Sequence, residues 1–219
     1  MDELVIGLYV WRVPWWGVPR ALVRLATDAR RLRATPGVRF AKLLGTAAGF
    51  RPTDTDLTRY AAVVVSDRPV AYREGASTRL DLRLIHSRGR WAGTEPFGAP
   101  SATPSDGPIL ALTRARLRAR KAVTFWRAVP PVAHAADGRT LAAFGIGEAP
   151  IGWQGTVSVW RNATDLAAFA YRHPEHRAAI IRTSTEGWYA EELFARFAVL
   201  DVVGDRSVLG WSEGGRGRA

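Results

Sequence analysis

Cysteine is absent from the 219-residue chain. That excludes disulfides, thiolate metal sites, iron–sulfur clusters and cysteine catalysis together. Lysine is nearly absent too. Lys42 and Lys121 are the only two, so the net charge of +11 rests almost wholly on arginine. No apolar run reaches the roughly 20 residues that a membrane-spanning helix needs. The opening MDELVIGLYVWRVPWW begins acidic and has no basic region or small-residue cleavage site, so no secretory signal is expected and the expected location is the cytoplasm. Helix-turn-helix, zinc-finger and RNP-like patterns are missing, so no nucleic-acid partner is expected in spite of the charge.

What is present is apolar material: 47% of the residues are hydrophobic and nine are tryptophan, enough for a real core. Residues 4–13 read as a buried strand. In the following helix, Val18, Leu22, Leu25 and Ala29 fall at helical spacing, with Pro19 in the first turn. Strands follow over 38–50 and 59–67, then a short helix or loop over 68–78 and a strand over 79–91. A Gly/Pro/Ser/Thr-rich stretch then interrupts the pattern, and the order begins again: strand 109–118, helix 120–136, strands 140–150 and 153–162, helix 164–184 with Thr164 as its cap, strand 194–204. Each half therefore reads strand, helix, strand, strand, helix, strand, the ferredoxin-like order. The expected fold class is α+β, with tandem ferredoxin-like repeats forming an α+β barrel. The expected divisions are a first half at 1–92, a linker at 93–107, a second half at 108–204 and a flexible tail at 205–219.

Several patterns are weak on inspection. Gly145 and Gly147 resemble the start of a dinucleotide loop, but Pro150 intervenes and no helix begins there. These glycines instead mark a hairpin and a close backbone approach. Glu186, Glu191 and Glu192 sit near an expected helix end without metal-ligand spacing. Ser158 and Ser184 lack a nucleophile-elbow setting. Of the four histidines, His86 lies on an alternating strand, His134 in a turn, and His173 just before Pro174. His176 shares a helical face with Ala179, Ile180 and Thr183. Such an imidazole is either a partly buried histidine bonded to a carbonyl or a haem ligand against an apolar wall.

The segments WRVPWWGVPRAL, GVRFAKLLGTAAGF, SRGRWAGTEPFG, ALTRARLR, TFWRAVPPV, GIGEAPIGWQGTVSVW and GWYAEELFARFAVLD together resemble the spheroidene monooxygenase family, over about residues 11–201. The resemblance implies a dimeric α+β barrel fold, a homodimer by analogy, and an oxygenase using oxygen or peroxide on a hydrophobic small molecule such as a carotenoid. It also implies haem b as cofactor and places His176 as the axial, metal-binding ligand. Ile180 then lines the haem. Arg114 and Arg116 are candidates for its propionates, or simply exposed. Gln154, with Thr156 and Ser158 on the same strand face, is a candidate distal group. Arg182, Trp188 and Tyr189 are placed to shape the pocket, Arg182 as a candidate catalytic side chain. YVWRVPWWGVPR suits peripheral contact with a membrane surface, a dimer contact or a core edge. A cofactor-free monooxygenase and a non-catalytic binder of haem or an apolar ligand are the alternative readings.

Overall fold

The computed structural model describes residues 4–49, 54–72, 77–117, 140–148, 153–172 and 189–212. Eight strands dominate: β1 (Val5–Arg12), β2 (Val38–Ala47), β3 (Thr55–Ser66), β4 (Ser77–Gly89), β5 (Ile109–Leu117), β6 (Thr140–Glu148), β7 (Trp153–Trp160) and β8 (Tyr189–Gly204). Among the described residues two α-helices accompany them, α1 (Val18–Arg33) and α2 (Ala163–Arg172), with one-turn 3₁₀ helices at Trp15–Gly17 and Arg206–Leu209; the expected helix at 120–136 lies outside the described residues. The strands close into a barrel in the order β1-β3-β2-β6-β7-β5-β8-β4. The first four run β4-β1-β3-β2 and the second four β8-β5-β7-β6, the same ferredoxin-like order twice. The halves do not stack as separate sheets. They join edge to edge, through β2–β6 and β4–β8, so no strand edge is left unpaired between them.

Period-two alternation decides what enters the barrel. Ile6, Leu8 and Val10 of β1, Ala61, Val63 and Val65 of β3, and Leu110 and Leu112 of β5 point inward and are buried. The central void bounded by Leu8, Leu82, Phe97, Leu112 and Phe197 measures about 10 Å³, room for no more than about one water. Around these residues the interior is a packed core.

Helix α1 covers the outer face of the first half. It buries Ala21, Asp28 and Leu32, with Leu25 partly buried, against Tyr9, Trp11, Tyr60 and Ala62. The buried stripe is therefore rotated from the expected one: Leu25 packs inward, but Leu22 is exposed. In the second half, α2 sets Leu166 and Phe169 against Trp160. Its cap is Asn162, whose Oδ1 accepts from the Asp165 amide at 2.8 Å, rather than Thr164. Strand β8 begins at Tyr189, earlier than the expected 194, and so takes in Glu191 and Glu192.

The segment between the halves is folded onto the barrel: Trp91 and Phe97 are buried, and the Ser101 amide donates to the Leu84 carbonyl. Past β8, where a flexible tail is expected, Val208 and Leu209 are buried and the Ser212 amide donates to the Leu141 carbonyl. The Asp205 carboxylate caps this turn by accepting from the Ser207 amide, and the Ser207 hydroxyl and then that amide hold it below the usual carboxylate range.

Candidate functional site

The outer faces of the two halves differ sharply in what they carry. On the first, Trp11 stacks on Tyr60 with ring centroids 6.0 Å apart, and Tyr72 meets Tyr9 and Trp11 edge-on at 5.6 and 5.8 Å. That face is filled by aromatic rings and α1. On the second, α2 covers Ile109, Ala111 and Trp160 at one end with Leu166 and Phe169, and past them the described outward positions of β5, β6 and β7 are mostly small. Ala143, Ser158 and Ala111 lie in one register row, ending at Arg196 of β8. Gly145, Thr156 and Thr113 form the next, ending at Phe194. Gly147, Gln154 and Ala115 form the third, ending at Glu192. At ordinary strand spacing this floor is about 14 Å across.

Two glycines of this face are differently placed. Gly147 is paired with Gly45 of β2, and a methyl group added at Gly45 would meet nothing nearer than the Gly147 carbonyl, 4.0 Å away. Gly145 is obligatory for a different reason: a Cβ there would lie 2.6 Å from the Gly49 carbonyl oxygen. The close approach expected of these glycines is thus the chain just past β2. Ser158 Oγ accepts from Trp160 Nε1 at 2.9 Å, which fixes the indole at the floor's border. At the opposite border Arg88 sets its guanidinium 4.7 Å from the centre of the Phe194 ring, and Arg88 and Arg196 are both exposed.

Arg114 is not on this floor. It is 1% exposed and points into the barrel end, following Leu110 and Leu112. Its Nε donates to Glu148 at 3.0 Å and its Nη1 donates to Glu191. Glu148 also accepts from Lys42 Nζ at 2.9 Å and Trp91 Nε1 at 2.7 Å. Glu191 also accepts from the amides of Ala92 and Gly93, at 3.1 and 2.7 Å. Burial alone would raise the Glu191 carboxyl, but the Gly93 amide, Arg114 and the Ala92 amide outweigh it and hold it below the usual range. Both choices expected for Arg114, propionate partner or exposed side chain, give way to a third. Desolvating a guanidinium this fully requires carboxylates, and Glu148 and Glu191 supply them. Arg116 follows on the same side of β5 and is half-buried, so it too faces away from the floor.

Of the remaining expected site residues, Thr156 and Ser158 do share the outer face of β7, and Gln154 lies in register with them on that strand. Tyr189 is half-buried at the start of β8, opposite Leu117. His86 is exposed. His134, His173, His176, Ile180, Arg182 and Trp188 lie outside the described residues. Among the described residues, no group of three or more His, Asp or Glu side chains is arranged to hold a metal ion, and no helix is long and apolar enough to cross a membrane.

No protein-family model matches the chain. Structural similarity is found to an aldoxime dehydratase, with a TM-score of 0.61 at 10% identity over 91% of this chain and 82% of that one. A second, an aldoxime dehydratase (OxdRE) in complex with butyraldoxime, gives a TM-score of 0.57 at 10% identity over 91% and 80%. At such identity the likeness concerns the fold alone. In sequence, the chain is 35% identical over 207 residues to the spheroidene monooxygenase of Rhodobacter capsulatus, covering 85% of this chain and 86% of that protein. It is 34% identical over 188 residues to that of Rubrivivax gelatinosus, covering 77% and 72%. This similarity runs through both halves of the barrel, and the chain belongs to the spheroidene monooxygenase family.

Proposed function

We propose that the protein is a haem-dependent monooxygenase of a long apolar polyene, a carotenoid, and that the floor of the second half is where cofactor and substrate meet. One observation carries the reading: the outer face of the first half is filled with aromatic rings, whereas on the second, beyond the Trp160–Phe169 pair under α2, the central positions are Ala143, Gly147, Thr113 and Thr156. A floor of low relief suits a planar macrocycle, which needs broad van der Waals contact over its face. The close packing around Leu8, Leu112 and Phe197 agrees with a ligand lying on an outer face.

The haem, when bound, supplies the oxygen chemistry. The protein supplies an axial imidazole, position and polarity. His176 would hold the haem iron through its imidazole, and Ile180, Arg182, Trp188 and Tyr189 remain the other proposed pocket residues. Arg88 and Arg196, exposed at the β4–β8 border, take over the propionate role first expected of Arg114 and Arg116. Thr113 and Thr156 offer hydrogen-bonding groups in the middle of the floor, and Gln154, in the next register row of β7, is the proposed distal group. Insertion of one oxygen atom from dioxygen leaves the other to be released as water, so the reaction needs two electrons from an external donor and two protons. Hydrogen peroxide, two electrons and two protons beyond dioxygen, brings both with it.

The test is turnover. Haem-loaded protein is given spheroidene in detergent micelles with isotopically labelled oxygen and a reductant, and the pigment is analysed by mass spectrometry. The expected product has gained labelled oxygen. Product formed equally well by haem-free protein assigns the chain to the cofactor-free alternative, and haem binding without product under either oxidant makes it a binder only.

A further inference from the structure

Helix α1 has two apolar faces. One is buried against the barrel. The other lies open: Trp15 and Trp16 are 76 and 70% exposed, and Val23 and Leu22 are 65 and 48% exposed. The two indoles pack edge to face at 5.9 Å, beside an exposed Leu57 from the start of β3. With Pro19 and Ala26, also exposed, Leu22 and Val23 continue the patch along two turns at spacings of three and four residues. Large exposed tryptophans grouped with aliphatic side chains are rare on a surface that meets only water.

The charges around the patch identify what it meets. Arg20, Arg24, Arg30, Arg31 and Arg33 are all exposed on the same helix. The one acidic residue of α1, Asp28, is buried and accepts from Arg24 at 3.2 Å. A second copy of the chain is a poor partner, because a two-fold contact sets the patch on itself and its arginines on arginines. An anionic lipid surface is complementary on both counts. Tryptophan favours the headgroup level, arginine stems extend along apolar surface while their guanidinium groups reach phosphate, and basic side chains are drawn to an anionic leaflet. We infer that Trp15, Trp16 and the open face of α1 dock the protein on an anionic bilayer, with the indoles at headgroup depth and the arginines on lipid phosphates. The docking surface and the haem floor use different residues, on different halves of the barrel, so one stands if the other fails.

Co-sedimentation with vesicles tests this without cofactor or substrate. Full-length protein is mixed with vesicles of pure phosphatidylcholine or of equimolar phosphatidylcholine and phosphatidylglycerol, at low and high salt. The protein sediments with the anionic vesicles at low salt, about tenfold or more in excess over phosphatidylcholine alone. The Trp15→Ala/Trp16→Ala protein loses that binding at least tenfold with unchanged circular dichroism, since neither indole is buried. Arg20→Gln and Arg31→Gln each weaken it about fivefold. Wild-type protein that stays in the supernatant overturns the inference, as does undiminished binding by the double variant. So does sedimentation velocity showing a dimer that the double variant dissolves, which assigns the face to a second copy.

Discussion

Trp91, fully buried where the chain leaves β4, donates its indole N–H to Glu148 at the end of β6, 57 residues later, at 2.7 Å. The same carboxylate receives Arg114 and Lys42, so four separated parts of the chain meet at one end of the barrel. The arrangement is a lock between the halves: Lys42 and Trp91 belong to the first, Arg114, Glu148 and Glu191 to the second.

Removing the central cation exposes that dependence. Arg114→Met leaves Glu148 and Glu191 buried with less than their compensating charge and costs about 3–5 kcal/mol of stability. Urea denaturation followed by tryptophan fluorescence measures it. A loss below about 1 kcal/mol assigns the cluster little of the fold's stability.

The acid limb of stability follows from Glu191 and Asp56. Burial would raise Asp56 also, but the Thr58 hydroxyl and amide, then Arg12 and Arg59, bring it below its ordinary value. A carboxyl lowered in the folded state adds stability that is complete above its unfolded pKa, about 4, and is lost as pH falls through the lower folded value. Thermal melts are therefore flat around neutrality on account of these groups and fall below about pH 4. Glu191→Gln lowers the neutral melting temperature and flattens the acid slope. An unchanged slope contradicts the assignment of Glu191.

The end of the chain is a plug. Leu209 is buried at the barrel end, and Leu209→Ala costs about 2–5 kcal/mol. A loss within about 0.5 kcal/mol, as at a surface site, would show the segment to be dispensable.

The floor makes a steric prediction. Ala143 is exposed in its first row, so Ala143→Trp leaves stability within about 0.5 kcal/mol. The indole stands where the proposed ligand lies, and hemin affinity falls at least about tenfold, or ~1.4 kcal/mol. Hemin titration and a urea curve on the same preparation separate the two effects.

Much of the fold was legible because periodicity is local. Alternation along β1, β5 and β7 gave the strands, and the repeated element order gave the two ferredoxin-like halves. Alternation also put Thr156 and Ser158 on one face. The barrel was expected, but which strands close it was not legible, since β2–β6 and β4–β8 pairing leaves no local trace. Nor were the partners of Arg114, which lie 34 and 77 residues away. Glu191 reads as a helix-end acid until β8 is seen to begin at Tyr189. In α1 both faces are apolar over the first turns, so spacing alone chose Leu22 where packing chose Ala21. The floor escaped notice because alanine, glycine, serine and threonine advertise nothing individually; only the register of three strands brings them together.

The measurement that tests the central claim most directly is a hemin titration followed by absorption, on wild-type protein and on the His176→Ala and His173→Ala variants. A Soret band saturating at one haem per chain in the wild type and in His173→Ala, and lost in a folded His176→Ala, is the predicted result. A wild-type spectrum with no saturable Soret band, or full haem retention by His176→Ala, would contradict it.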